Sequence, residues 1–218
     1  MIDARCYFGR VTALVVDDHP LVCEVISHVV EEHGLRVVGA AGTAAEAVEL
    51  AKQHKLRLAV VDLLLPRVDG VELTRELRAL QPDCKILGIS AIEEPIRVAE
   101  MMRAGAQGFV FKSQASTALS EALRAVLAGE TYLPSTLPDS IKQLIAHDDE
   151  LPLERLTPRE REIYQLLLDG KANDDIAELL GIARRTVETH RQNILDKLGA
   201  SSLAELYRIG VKLGLVRA

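Results

Sequence analysis

Between residues 11 and 129, short apolar runs alternate with longer stretches whose apolar positions recur at helical spacing. The runs are 12–16, 35–40, 58–61, 85–89 and 108–111, and the amphipathic stretches are about 20–33, 43–55, 69–80, 93–104 and 115–129. Runs this short read as buried strands, and the stretches read as helices with one apolar stripe. Five β–α repeats at this spacing predict a parallel sheet covered by helices on both faces. Thr43 is a candidate N-cap, with Glu46 three residues on completing a capping box. Pro66 and Gly70 punctuate the loop after Asp62, and Gly34, Gly105 and Gly129 fall where helices should stop.

The pattern changes at residue 131. Pro134, Pro138, Pro152 and the acidic run at 148–150 read as an interdomain linker, with one short helix near 139–146. Beyond it the pattern is helical, over about 158–169, 173–180, 184–198 and 202–214. Thr157 and Pro158, with Glu160 in the first turn, make a helix start. Gly170, Gly181 and Gly199 separate the helices. Two short helices joined through Gly181, Ile182 and Ala183 fit a helix-turn-helix unit. The expected division is an α/β domain over 1–130, a linker over 131–152 and a small all-α domain over 153–218.

Several of the apolar runs end in chemistry. Residues 14–16 lead into Asp17 and Asp18, 58–61 into Asp62, 86–89 into Ser90, and 108–111 into Lys112. In a parallel sheet, neighbouring strands bring their C-terminal ends to one crevice. Three carboxylates, one ammonium and one hydroxyl would then converge, which suits a divalent metal and a phosphoryl group. Mg²⁺ takes hard oxygen ligands; Asp17, Asp18 and Asp62 offer them, and the backbone carbonyl of Leu64 completes the set. A carboxylate can also be a nucleophile that becomes an acyl phosphate. Asp62, alone at the end of the central strand, is the best placed. Lys112 would neutralise phosphate as a point cation, and Ser90 would donate to a phosphoryl oxygen. His19 reads as a rim residue, and His28, His33, His54 and His147 as surface residues of helices or linker.

Composition narrows the classes. The chain has 218 residues, enough for two domains, and no Trp. No run approaches the roughly 20 apolar residues of a membrane span, and residues 1–10 have no apolar core of a signal peptide. Cys6, Cys23 and Cys84 lack metal spacing and read as free thiols in a reducing compartment, so a cytoplasmic location is expected. The net charge of −6 is uneven: residues 151–218 carry 11 basic and 10 acidic groups, while residues 1–130 carry 14 and 18. A near-neutral DNA reader would need dimerisation or local basic clusters to hold phosphates.

Taken together, Asp17-Asp18-His19-Pro20, the stretch from Asp62 through Pro66 to Gly70, Ser90-Ala91, and Gly105-Ala106 with Gly108-Phe109-Val110 and Lys112 resemble the receiver domain of two-component response regulators. The resemblance covers about 120 residues. It implies a flavodoxin-like (βα)5 fold, a phosphoacceptor at Asp62, Mg²⁺ near Asp17, Asp18 and Asp62, and a switch pair at Ser90 and Phe109. Leu65 stands where many members have Met, a near-isosteric exchange.

Leu156-Thr157-Pro158-Arg159-Glu160, Gly170-Lys171, Ile176-Ala177, Leu180-Gly181-Ile182, Thr186-Val187-Glu188-Thr189-His190 and Lys197-Leu198-Gly199 resemble the LuxR-type helix-turn-helix over about 60 residues. With the receiver, this is similar to the NarL/FixJ family of transcriptional regulators. Ile182, Val187, Ile194, Leu195 and Leu198 form an inward stripe on the recognition helix. Glu188, Thr189 and Gln192 are candidate base readers. Lys171, Arg184, Arg185, Thr186, His190, Arg191 and Lys197 are candidate phosphate contacts, which position without reading sequence. Ala172 and Ala183 stand where the family often has Ser, and Asp174 where it has a basic residue nearby. A single copy should therefore bind DNA weakly, and paired half-sites would give tight binding.

The functional expectation is a DNA-binding regulator rather than an enzyme. A sensor histidine kinase phosphorylates Asp62 with Mg²⁺, and phosphorylation promotes homodimerisation on promoter DNA. The rivals are a receiver acting as a fixed scaffold without phosphate and a phosphohydrolase working through an aspartyl phosphate. The second would need a general acid two residues after Asp62, where Leu64 stands. An electron-transfer flavodoxin is disfavoured, because no phosphate-cradling loop follows the first strand.

Overall fold

The computed structural model describes residues 11–146 and 151–216. Cys6 and His147 lie outside the described residues. The chain divides into two compact units: the chain up to Glu93 with Glu100–Leu137, and Glu94–Ala99 with the chain from Pro138.

Residues 12–128 are the expected alternation of strands and helices: β1 (Thr12–Val16), α1 (Pro20–Glu32), β2 (Arg36–Ala41), α2 (Ala44–Gln53), β3 (Leu56–Asp62), α3 (Gly70–Leu80), β4 (Lys85–Ser90), α4 (Pro95–Arg103), of which residues 95–99 group with the second unit, β5 (Gly108–Phe111) and α5 (Ala115–Ala128). All strand pairs are parallel, in the order β2-β1-β3-β4-β5. This is a flavodoxin-like sheet with β3 at its centre. Side chains alternate across it. Ala13, Val15, Leu58, Val60, Leu87, Ile89 and Val110 pack with Cys23, Ile26 and Val30 of α1 and Leu119, Leu123 and Val126 of α5. The opposite face holds Leu14, Val16, Val61, Ile86 and Phe109, all buried. As an edge strand, β2 is only half-buried, unlike its neighbours.

Two sequence details take a different form. Thr43 caps α2 by accepting the Glu46 amide, but the Glu46 carboxylate reaches Gly42 N–H at 2.9 Å rather than the cap residue itself. The segment read as linker from residue 131 begins as part of the sheet. Tyr132 N–H donates to Gln107, its carbonyl accepts from Phe109 N–H, and it bridges Gly108 in parallel. The first unit consequently runs to Leu137, which is buried.

The second unit is helical where described: α6 (Asp139–Ala146), α7 (Pro158–Leu168), α8 (Asn173–Leu180), α9 (Arg184–Leu198) and α10 (Leu203–Lys212). Within it, α6 buries Ile141 completely. Tyr164 Oη donates to the Leu206 carbonyl at 2.8 Å and ties α7 to α10. Gly210 lies against Leu168, where an added Cβ would sit 2.7 Å from its methyl.

The start of α7 is a complete capping box. Thr157 Oγ1 accepts from Glu160 N–H, and Glu160 Oε2 accepts from Thr157 N–H at 2.8 Å. The same oxygen meets Lys197 Nζ at 2.6 Å, although Glu160 is only 3% exposed. Burial opposes its ionisation, but the bonds from Lys197 and Thr157 outweigh burial and hold the carboxyl below its ordinary range. A lowered folded pKa means stability that is present above the ordinary value of about 4.3 and is lost as pH falls through the folded value. Glu160→Gln is expected to cost about 1–3 kcal/mol near neutrality, since Lys197 is partly exposed. Urea titrations across pH check this: the cost should shrink in acid, and an equal cost at every pH would assign the effect to shape rather than charge.

Candidate functional site

The ends of β1, β3, β4 and β5 meet as the parallel order requires. Asp17 and Asp62 are each 2% exposed, and Ser90 is fully buried. Lys112 Nζ lies 2.6 Å from Asp17 Oδ2 and 2.7 Å from Asp62 Oδ2, bridging residues from strands β1 and β3. The contact to Asp62 is a hydrogen bond; the contact to Asp17 Oδ2 is an ion pair that leaves this buried oxygen without a hydrogen bond of good angle. Leu64 N–H donates to Asp62 Oδ1 at 3.3 Å. Ser90 Oγ accepts from Ile92 N–H at 3.0 Å, which leaves its own proton to donate. Cys23 Sγ donates to the Asp17 carbonyl at 3.3 Å.

The electrostatics follow from burial. Burial pushes the Asp62 carboxyl above the usual range, against the pull of Lys112 and the Leu64 amide. For Lys112, burial acts to lower the pKa, but the two carboxylates outweigh it and hold the ammonium charged. A carboxylate that is poorly solvated is a stronger nucleophile than one in water.

The donor set fits a hard divalent cation. Asp17, Asp18 and His19 place ligand atoms within 4.8 Å of one another. One buried Asp17 oxygen lacks a hydrogen bond, and the Asp18 side chain is 34% exposed and accessible. Hard carboxylate oxygens suit Mg²⁺. His19, read from the sequence as a rim residue, is 70% exposed in its side chain but turns Nδ1 to within 2.7 Å of Asp18 Oδ1.

The loop after β3 is held tightly. Arg67 takes a left-handed backbone with φ of 69°, which costs a non-glycine residue on the order of 1 kcal/mol. Gly70 begins α3 against the backbone of Asp62 and Leu63, and its N–H donates to the Leu63 carbonyl at 2.9 Å. Phe109 is fully buried, and its ring lies where a Cβ on Gly88 would sit. The Phe111 ring meets it edge-on at 5.6 Å.

In the second unit, α8 and α9 are joined through Gly181, whose φ of 62° is left-handed. Val187, Ile194 and Leu195 face inward, while Ile182 and Leu198 are partly buried. Ala183 caps α9 without a side-chain bond, as its missing hydroxyl implies. Lys171, Arg185 and Thr186 are exposed, and His190 and Arg191 are half-buried. Arg184 is held by Asp174 at 3.1 Å and by Glu188 at 3.0 Å. Thr189 donates to the Arg185 carbonyl, and Gln192 to Asp196. Each candidate base reader therefore already has a partner inside the unit. Lys197 is committed to Glu160, a pairing that spacing along the chain did not reveal.

Comparison with known proteins agrees with this geometry. The family described as "Response regulator receiver domain" matches residues 13–124, and "Bacterial regulatory proteins, luxR family" matches residues 154–209. A "Putative transcriptional regulator" of Pseudomonas aeruginosa is 36% identical over 194 residues, covering 88% of this chain and 93% of its own. "Response regulator GacA" of the same organism is 31% identical over 211 residues, covering 95% and 99%. Among solved structures, RcsB from Salmonella enterica serovar Typhimurium, bound to promoter P1flhDC in the presence of phosphomimetic BeF3-, has the same fold. It aligns with a TM-score of 0.62 at 23% identity, over 96% of this chain and 100% of that one. With both domains matched in sequence and the strand-end cluster in place, the chain belongs to the two-component response regulators of the NarL/FixJ type, a receiver domain joined to a LuxR-family DNA-binding domain.

Proposed function

We propose that the chain is a transcription factor switched by phosphorylation of Asp62. The observation that carries this reading is the Lys112 bridge between Asp17 and Asp62, at the end of the central strand of a chain that also holds a helix-turn-helix. A phosphohistidine on a partner sensor kinase is the donor: its N–P bond breaks as an O–P bond forms at the Asp62 carboxylate. The oxygen held only by the long contact to Leu64 N–H keeps the freer lone pair. Asp17, Asp18, Asp62 and the Leu64 carbonyl would hold Mg²⁺, which supplies charge neutralisation for the incoming phosphoryl oxygens. Lys112 would pair with those oxygens once Asp62 carries the phosphoryl group as an acyl phosphate. Ser90 donates its hydroxyl proton to one of them, and Phe109 repacks with it.

The phosphoryl group acts only through differential stabilisation of one arrangement, and a decisive shift needs about 5 kcal/mol. The active arrangement is a homodimer on paired promoter half-sites. Apolar surface for it is available on α10, where Leu203, Tyr207 and Val211 are 40%, 45% and 44% exposed at one-turn intervals, and on α1, where Leu21 and Val25 are exposed. On DNA, Glu188, Thr189 and Gln192 read bases; Lys171, Arg184, Arg185, Thr186, His190, Arg191 and Lys197 meet phosphates. Asp174 holds Arg184 back from phosphate, so a single copy binds weakly. Relatives at 36% and 31% identity are named as a transcriptional regulator and a response regulator, which supports a regulator rather than an enzyme. No helix among the described residues is long and apolar enough to cross a membrane. Buried free thiols at Cys23 and Cys84 suit the cytoplasm.

Acetyl phosphate with Mg²⁺ tests the chemistry. Stoichiometric labelling at Asp62 supports the switch, while continuous turnover would make the chain a phosphohydrolase. The label should also be long-lived. Leu64 is 44% exposed beside Asp62, and Ile92 follows Ser90; neither side chain can orient an attacking water by hydrogen bonding. Leu64→Asn is expected to speed loss of phosphate by roughly tenfold or more. Following the label in purified protein checks this, and a wild-type half-life of seconds would defeat it.

A further inference from the structure

His19 is the N-cap residue of α1, yet its imidazole makes no capping hydrogen bond. It turns instead to the acidic pair. Nδ1 lies 2.7 Å from Asp18 Oδ1 and 3.4 Å from Asp17 Oδ1. The His19 backbone N–H donates to the same Asp17 oxygen at 2.9 Å, which fixes where the ring begins. Adjacent ligands on a small divalent ion, each about 2.1 Å from it, stand about 3 Å apart. The imidazole nitrogen lies at about that spacing from each of the two carboxylate oxygens, and the three groups place ligand atoms within 4.8 Å of one another. The neighbouring Asp17 Oδ2 is paired with Lys112 Nζ at 2.6 Å, so Oδ1 is the Asp17 oxygen that faces the ring. The ring is 70% exposed and can turn toward an ion without disturbing the core.

We propose that His19 is a ligand of the divalent cation held by Asp17 and Asp18, and that it tilts this site toward imidazole-binding first-row ions such as Co²⁺ and Zn²⁺ relative to Mg²⁺. The inference rests on the metal role proposed above for the acidic pair. Its chemistry is the difference between donor types. Carboxylate and water suit Mg²⁺, which gains little from nitrogen, whereas imidazole suits Zn²⁺, Ni²⁺ and Cu²⁺, and divalent affinity rises along the first row. To bind, Nδ1 presents its lone pair and the ring proton resides on the exposed Nε2, so no charge is created on the ring. The cation accompanying phosphotransfer would then depend on which ions are available, and a tightly held transition ion would occupy the place of Mg²⁺.

The test is isothermal titration calorimetry on the untagged full chain with Mg²⁺ alone and with Co²⁺ alone, together with the visible absorption of the Co²⁺ form. His19→Ala is expected to weaken Co²⁺ by on the order of tenfold and to alter its spectrum, while Mg²⁺ affinity changes by less than about twofold. Asp17→Asn is expected to weaken both ions. If His19→Ala leaves Co²⁺ affinity and spectrum unchanged while Asp17→Asn weakens both ions, the ligand role of His19 is overturned and the acidic site stands. Equal loss of both ions in His19→Ala overturns the selectivity. Mg²⁺ binding indifferent to Asp17→Asn overturns the inference and the metal reading beneath it.

Discussion

Asp62→Ala is expected to abolish covalent labelling by acetyl phosphate and to remove the phosphorylation-dependent part of DNA occupancy across the genome. The first effect should be complete, because the other carboxylate facing Lys112, Asp17, is buried and its Oδ2 is already taken by the ammonium. The second should be a loss of roughly 5- to 150-fold in apparent promoter affinity, the usual size of a coupling between two sites. Genome-wide mapping of bound DNA for wild type and variant measures it. Equal occupancy would defeat the switch and leave the receiver as a scaffold.

The same position carries a stability signature that separates chemistry from misfolding. Burial raises the Asp62 pKa in the folded protein, so its ionised form is disfavoured there. A raised carboxyl pKa means that the native state binds the proton more readily than the unfolded chain. Ionisation thus penalises the fold at pH values above the folded pKa, and the penalty disappears as pH falls below the ordinary value. Asp62→Asn, which keeps the shape, should without divalent ions be at least as stable as wild type near neutrality, with the difference vanishing in acid. Denaturant titrations at neutral and acid pH decide this. A large neutral-pH loss in the Asn variant would mean that the Lys112 ion pair outweighs desolvation.

Gly70→Ala should be the most damaging change of a single methyl group near the site. Its Cβ would lie 2.2 Å from the Asp62 carbonyl oxygen and 2.7 Å from Leu63 Cα. Both are backbone atoms of the phosphoacceptor loop and cannot rotate aside. Either α3 moves outward and breaks the Gly70 N–H bond to Leu63, or the Asp62 peptide moves. Overpacking of this kind costs about 1–3 kcal/mol and often more against backbone. Displacing Asp62 by even about 1 Å slows a positioned reaction on the order of a hundredfold. Urea unfolding and the rate of acetyl phosphate labelling measure the two effects. Wild-type values for both would remove the close approach from the account of the site.

Much of this was legible in the chain. Strand and helix periods depend on local burial, and Gly34, Gly105, Gly129, Gly181 and Gly199 adopt the left-handed backbone that stops helices. The expected short helix at 139–146 is α6. The helix start at Thr157 and Pro158, with Glu160 in its first turn, was visible as a spacing, while the reciprocal capping bonds came with the structure. The helix of residues 184–198 appears with those bounds, since its apolar stripe and terminal glycine are both local signals. Where the reading stopped short, the missing information was non-local. Residues 131 and 132 carry a proline-rich context on their C-terminal side, yet the edge of β5 supplies Tyr132 with backbone partners.

Pattern period and strand direction along the chain leave few arrangements other than the two-domain order, the parallel sheet and the convergence of Asp17, Asp62, Ser90 and Lys112. The side-chain pairings came from packing instead. Lys112 spans Asp17 and Asp62 across distances of 95 and 50 residues along the chain. Lys197 goes to Glu160, Arg184 to Asp174 and Glu188, and the His19 ring to the acidic pair rather than to its helix. Gly70 is required by a backbone contact rather than by its own φ. Hydrogen bonds and ion pairs act over about 3–4 Å, and that distance is set by how elements pack and which rotamers they allow, not by spacing along the chain.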